Sequence, residues 1–233
     1  MGASKRQQMA SFDDDWPDKI WASIGAVNEG RGAGWLLAAA TLAVTGCRPA
    51  ALERGVTFAL VKDQGGGTYI EATVPGVKLT ANRGQEEHSF RWATSDETHR
   101  PDELLALTKA MMSAPGRRLV VRYDAEAIST RLREVSRSIW PRRKHLVTGY
   151  CYRELLSSTA KAAGVPPAEL AVAMGHRSAE SQGAYAHAGR AGRGGKKPWG
   201  AVSGSESVKV ERAPMARFKA FTAIKKSKAR FAI

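Results

Sequence analysis

The sequence predicts a mainly α-helical fold into which one small three-stranded antiparallel β-sheet is set. Apolar residues recur at helical spacing on both sides of the stretch from Gly55 to Thr94. Within that stretch they come instead as short β-type runs, parted by Gly65-Gly66-Gly67, Pro75-Gly76 and Asn82-Arg83-Gly84. The 233 residues, 43% of them hydrophobic, suffice for one packed core with extensions. The longest apolar run, Trp35 to Val44, is about half of the roughly 20 residues that span a bilayer, and it lies too far along the chain for a secretory signal. No membrane partner is expected, and a cytoplasmic location is the default.

Each element has its local reason. Residues 1–15 are polar and end in Asp13-Asp14-Asp15 before Trp16-Pro17, a loose start closed by a helix cap. Asp18 to Asn28 is weakly amphipathic, whereas Ala33 to Thr45 is apolar nearly all round and stops at Gly46, the pattern of a buried helix. The expected strands are Val56 to Val61, Thr68 to Val74 and His88 to Ala93. Helical patterns resume at Pro101 to Ser113, Asp124 to Ile139, Gly149 to Ala163, Pro167 to Met174 and Ser178 to His187. The expected organisation is a flexible start (1–15), one domain (16–188) and a basic linker and arm (189–233).

Charge narrows the class of partner. The formal net charge is +14, and from Ala188 onward twelve Lys and Arg face two acids, so ten of those charges sit in the last 46 residues. A Gly-rich basic stretch, a Ser/Gly segment and a Lys/Arg-rich end read as a linker followed by a cationic arm. Such an arm neutralises phosphates and releases their counterions, which makes a polyanion the natural partner. Arg142, Arg143, Arg177, Lys196 and Lys197 are the candidate contacts to it. The two cysteines, Cys47 and Cys151, have neither CxxC nor Cys/His ligand spacing, so reduced thiols are expected and no metal site is indicated.

Four features near helix boundaries share one explanation. They are Arg48 after Thr45-Gly46-Cys47, Arg153 in Tyr150-Cys151-Tyr152-Arg153, His176 in Gly175-His176-Arg177-Ser178, and Tyr185 in Ala184-Tyr185-Ala186-His187. Singly, each has an ordinary reading: a C-cap cation, a core histidine, a core tyrosine. In this order, with Tyr185 nine residues after His176, they resemble the tyrosine recombinase (phage integrase) family over Ala33 to Ala188, about two thirds of the chain. The resemblance implies the recombinase catalytic-domain fold and a site-specific enzyme that cuts and rejoins double-stranded DNA through a 3′-phosphotyrosyl intermediate. It further implies a homotetramer on DNA, possible accessory recombinase or DNA-binding proteins, association with the nucleoid, and no metal or nucleotide cofactor.

The chemistry fits those residue types. Cutting a phosphodiester needs a nucleophile, neutralisation of the non-bridging oxygens and a proton for the departing 5′ oxygen. Guanidinium forks match pairs of phosphate oxygens, which suits Arg48 and Arg153. Tyr185 is the implied nucleophile and His176 a donor to a phosphate oxygen. The family carries its general acid on a hairpin lysine, and Lys78, after the Pro75-Gly76 turn, takes that place, with Lys62 and Arg83 as rivals.

The sequence departs from the family pattern at three points. Tyr150 stands where the family usually has His, and is retained as a substituted site residue whose phenol can donate or accept a hydrogen bond. Ala51 stands where an acid usually orients the first arginine, with Glu53 as a possible substitute. Only 47 residues precede Arg48, so the family's other DNA-clamping domain is expected to be absent, lost from a fragment or supplied by a partner. These departures keep two alternatives open: a DNA-binding or regulatory protein with the recombinase fold and weakened catalysis, and a type IB topoisomerase-like nicking and closing enzyme.

Overall fold

A computed structural model describes residue 9 and residues 12–27, 34–80, 84–94, 100–184 and 196–209. Among these residues the architecture is mixed α/β, with seven α-helices and one five-stranded antiparallel sheet. The helices are α1 (Trp16–Val27), α2 (Gly34–Thr45), α3 (Pro49–Arg54), α4 (Pro101–Ser113), α5 (Ala125–Ile139), α6 (Gly149–Ala162) and α7 (Pro167–Ala173). The strands are β1 (Val56–Lys62), β2 (Thr68–Pro75), β3 (Glu87–Ala93), β4 (Arg118–Val121) and β5 (Ala201–Gly204), in the sheet order β4-β1-β2-β3-β5.

The three expected strands are therefore the middle of a larger sheet. β4 extends it on the β1 side, pairing Val56 with Val121 and Ala59 with Arg118. β5 extends it beyond β3, pairing His88 with Gly204 and Arg91 with Ala201. Each added strand has four residues, too few for an alternating pattern to stand out from the neighbouring turns. β5 lies inside the stretch expected to be linker. Two indoles hold it there: Trp92 Nε1 donates to the Pro198 carbonyl at 2.9 Å, and Trp199, 2% exposed, donates from Nε1 to Glu169 at 2.7 Å.

Helix α2 is the axis of the core. Trp35 and every residue from Ala38 to Thr45 are buried, as the unbroken apolar run requires, and it packs against α4 and α6. α5 is amphipathic, burying Ile128, Leu132, Val135 and Ser136 at helical spacing, and its first turn is capped by Asp124, which accepts from the Ala127 N–H at 2.6 Å. The last expected helix, Ser178 to His187, is instead a 3₁₀ segment, Ala179–Ala184, as far as the described residues go. Its sequence, Ala-Glu-Ser-Gln-Gly-Ala, offers no apolar face to hold an α-helix against the core. Among the described residues no helix is long and apolar enough to cross a membrane.

Candidate active site

Two glycines set the framework of the site. Gly46 ends α2 with φ +56°, and a Cβ there would lie 2.7 Å from Leu156 of α6, so a glycine is required both by backbone hand and by space. A Cβ on Gly149, the first residue of α6, would lie 2.6 Å from Pro49. The start of α6 thus packs closely against Pro49 at the start of α3. Arg48 caps α3 in an extended conformation, with Pro49 starting the helix. Arg153 lies one turn into α6.

Arg153 is almost fully buried, at 2% exposure. Its Nη1 donates to the Gly46 carbonyl at 3.0 Å, and its Nη2 donates to the Met174 carbonyl and contacts His176 Nε2 at 3.2 Å. Arg48 reaches the same imidazole nitrogen, Nη2 to Nε2 at 3.5 Å. A guanidinium has only donors, so His176 Nε2 is the acceptor of both, and the imidazole is neutral with its proton on Nδ1. Burial, then the charges of Arg153 and Arg48, push the His176 pKa down to about 3.

Arg48 and His176 open onto a cleft of about 710 Å³. Arg48, His176 and Arg177 form one side, and the hairpin after β2 forms the other with Val77, exposed Lys78, Leu79 and Thr80. Ser178, Glu180 and Ser181 also line it. A smaller recess adjoins it, lined by Arg48, Ala51, Lys78, His88, Arg153 and Gly175 among others. The arrangement is a cationic hollow with two guanidinium groups, a neutral imidazole and an ammonium facing one space, which is the chemistry of an anion site.

The remaining candidates fall as follows. Tyr185 and Arg83 lie outside the described residues. Lys62 pairs with Thr68 at one end of β2, whereas Lys78 follows Pro75 at the other. Seven residues at ~3.3 Å each separate those ends by about 23 Å, so Lys62 cannot share the cleft. Tyr150 is 41% exposed in the first turn of α6 and does not line the cleft. Glu53 is engaged elsewhere, accepting from the Ala125 N–H at 3.2 Å at the start of α5, and Ala51 brings no carboxylate to the recess.

Of the basic residues, Arg177 lines the cleft and pairs with Glu206. Arg143 holds the N-terminal segment, pairing with Asp13 at 3.1 Å and lying over the rings of Trp140 and Phe12 at 4.4 and 5.2 Å. Lys197 pairs with Glu169 at 2.6 Å, and Arg142 and Lys196 are exposed.

His88 is the site residue that sequence reasoning missed. Its imidazole is 5% exposed, its pKa is pushed down to about 3 by burial and by Arg153 and Arg48, and its ring packs where a Cβ on Gly175 would stand, 3.0 Å away. Its signal was available: His88 shares the buried face of β3 with Phe90 and Trp92, a titratable side chain in an otherwise apolar alternation.

The chain matches no protein-family model, no curated protein and no solved structure with which it was compared.

Proposed function

We propose that the protein is a tyrosine recombinase, a site-specific DNA strand-exchange enzyme. The observation that carries the reading is the meeting of Arg48 and Arg153, 105 positions apart in the chain, on one nitrogen of His176 at 3.5 and 3.2 Å, at the wall of a cleft that Lys78 faces.

In this reading the scissile phosphate enters the cleft. The two guanidinium groups neutralise its non-bridging oxygens, and His176 donates to one of them from its protonated nitrogen. The Tyr185 oxygen attacks phosphorus and its phenol proton passes to solvent water, the bond to the 5′ oxygen breaks, and that oxygen takes a proton from Lys78. The phosphodiester is conserved as a 3′-phosphotyrosine, and attack by the 5′ hydroxyl of another strand reverses the steps. Double-stranded DNA is the substrate, and a homotetramer on DNA is the assembly proposed. Arg142, Arg177, Lys196 and the basic end of the chain supply phosphate contacts.

A second reading has specific support. Exposed Tyr150 and buried Ala51 leave the cleft without the imidazole and the carboxylate of the family pattern, which favours a DNA-binding protein with weakened catalysis. One experiment separates the two. On a nicked suicide duplex the wild type is expected to form a covalent protein–DNA adduct, and Tyr185→Phe is expected to abolish it while gel-shift binding stays within about 2-fold, since one hydroxyl is a small part of a phosphate-dominated affinity. DNA binding with no adduct in the wild type would favour the second reading, and an adduct in Tyr185→Phe would remove Tyr185 as nucleophile.

A further inference from the structure

Gln85, just ahead of β3, has no solvent exposure, and its carboxamide makes four hydrogen bonds. Its Nε2 donates to the His176 carbonyl at 3.1 Å and to the Glu206 carbonyl at 2.9 Å. Its Oε1 accepts from the Glu206 N–H at 2.7 Å and from Ser205 Oγ at 3.3 Å. Its own backbone N–H donates to the Gly175 carbonyl at 3.1 Å. One residue therefore fixes the peptide on each side of His176.

The surroundings are shaped to admit it. A Cβ on Gly204 would lie 2.9 Å from Gln85 Oε1, one on Gly76 would lie 2.0 Å from the Gln85 carbonyl, and one on Gly84 would lie 2.4 Å from the Lys78 carbonyl. The turn that carries His176 and the segment after β5 thus close on one carboxamide, and the neck of the hairpin that carries Lys78 closes on the backbone of the same residue. Lys209 continues that seam, its N–H donating to the Arg177 carbonyl at 2.8 Å while its own carbonyl accepts from the Ala179 N–H at 3.2 Å.

We infer that Gln85 is a positioning residue: its carboxamide, anchored on residues 205–206, holds the His176 turn so that the imidazole stays between the Arg48 and Arg153 guanidinium groups. Buried donors and acceptors that are all satisfied fix one geometry, whereas loss of the carboxamide leaves the carbonyl of His176 and both backbone groups of Glu206 without this partner. Its role in catalysis rests on the recombinase reading, but its effect on the imidazole does not.

The test is a titration of the His176 ring by NMR in the full chain without DNA, comparing wild type with Gln85→Met, which keeps length and apolar bulk but makes no hydrogen bond. Among the described residues, the charged and titratable groups that act on the ring include Arg48, Arg153 and His88. The wild-type ring is expected to stay neutral at pH 5. In Gln85→Met it is expected to drift from the guanidinium groups, with its midpoint rising by about one unit or more, while His88, held by burial in the sheet, stays neutral. An unchanged His176 midpoint, or equal rises at both histidines from general loosening, would overturn the inference. Should Gln85→Met not fold, Ser205→Ala removes one of the two donors that anchor the carboxamide oxygen, and a smaller rise confined to His176 is expected; no rise overturns the inference equally. Adduct formation on the suicide duplex is measured in parallel and is expected to slow about 10-fold in Gln85→Met, as for a misplaced catalytic group. A wild type that forms no adduct sinks the recombinase reading and leaves the titration to decide the role of Gln85.

Discussion

Arg153 donates from Nη1 to the Gly46 carbonyl at 3.0 Å, so the buried guanidinium that lines the recess beside the cleft is aimed by the residue that ends the central helix. The contact joins two consequences of one glycine. Its positive φ turns the chain toward Arg48, and its missing side chain admits Leu156 and exposes the carbonyl that Arg153 needs.

Gly46→Ala is therefore expected to damage fold and site together. The added methyl meets Leu156 at 2.7 Å on a backbone with φ +56°, and overpacking with that strain costs about 2–4 kcal/mol. Urea denaturation should show the loss of stability. The neighbouring Cys47→Ala, which leaves the turn intact, should lose about 1–2 kcal/mol at most, as for a small buried group.

Arg153→Lys keeps the charge but not the fork. A single ammonium cannot serve the Gly46 and Met174 carbonyls and a phosphate at once, so adduct formation is expected to fall by about 10²-fold or more with the duplex still bound. Single-turnover cleavage measures the first and gel shift the second. Cleavage within a few-fold of wild type would remove Arg153 from the phosphate site.

Stability is expected to rise with pH on the acid side of neutrality. His176 and His88 have folded pKa values pushed down to about 3 from 6.5. Between those values the unfolded chain binds protons that the folded chain does not, so unfolding is favoured as pH falls through 6.5 toward 3. Each histidine contributes a slope approaching ~1.4 kcal/mol per pH unit. Chemical denaturation at pH 7, 6 and 5 should show this slope, and His88→Leu should remove about half of it.

In the proposed reaction Lys78 protonates the leaving oxygen, and a sulfur leaving group needs no proton. Lys78→Met is expected to cut an ordinary suicide duplex about 10²–10⁴-fold more slowly, the usual range for loss of a general acid, and a 5′-bridging phosphorothiolate duplex at near wild-type rate. Lys62→Met, altered at the far end of β2, should behave as wild type on both duplexes.

The segment 196–204 belongs to the folded domain. Trp199→Ala removes an indole with 2% exposure together with its bond to Glu169, an expected loss of about 3–5 kcal/mol. The measurement is urea denaturation followed by far-UV CD. A stability within about 0.5 kcal/mol of wild type, the range of ordinary surface substitutions, would make this stretch the linker that its composition suggests.

How much of this was legible in the sequence depended on whether the signal was local. The run Trp35 to Val44 ending at Gly46 and the turn glycines of the sheet are written in adjacent residues, and they placed α2 and the three central strands; the order of Arg48, Arg153 and His176 suggested one site, and the fold brings those three side chains together. β4 and β5 were not legible because four-residue strands take their identity from the strand they pair with. Ala201–Gly204 in particular reads as linker until Trp199 is seen buried between β3 and α7. Gln85 gave no local sign at all, since its partners lie 91 and 121 positions away. Tyr150 shows the converse: its spacing from Arg153 suggested the site, but the first turn of α6 leaves it 41% exposed and off the cleft lining.

The central claim is that Arg48, Arg153, His176 and Tyr185 surround one scissile phosphate. Its most direct test is to digest the wild-type adduct formed on a suicide duplex and locate the nucleotide by peptide mass. The account predicts a single modified peptide carrying the 3′-nucleotide on Tyr185. A nucleotide on any other residue, or an adduct that forms unchanged when both Arg48 and Arg153 are replaced by Met, would contradict it.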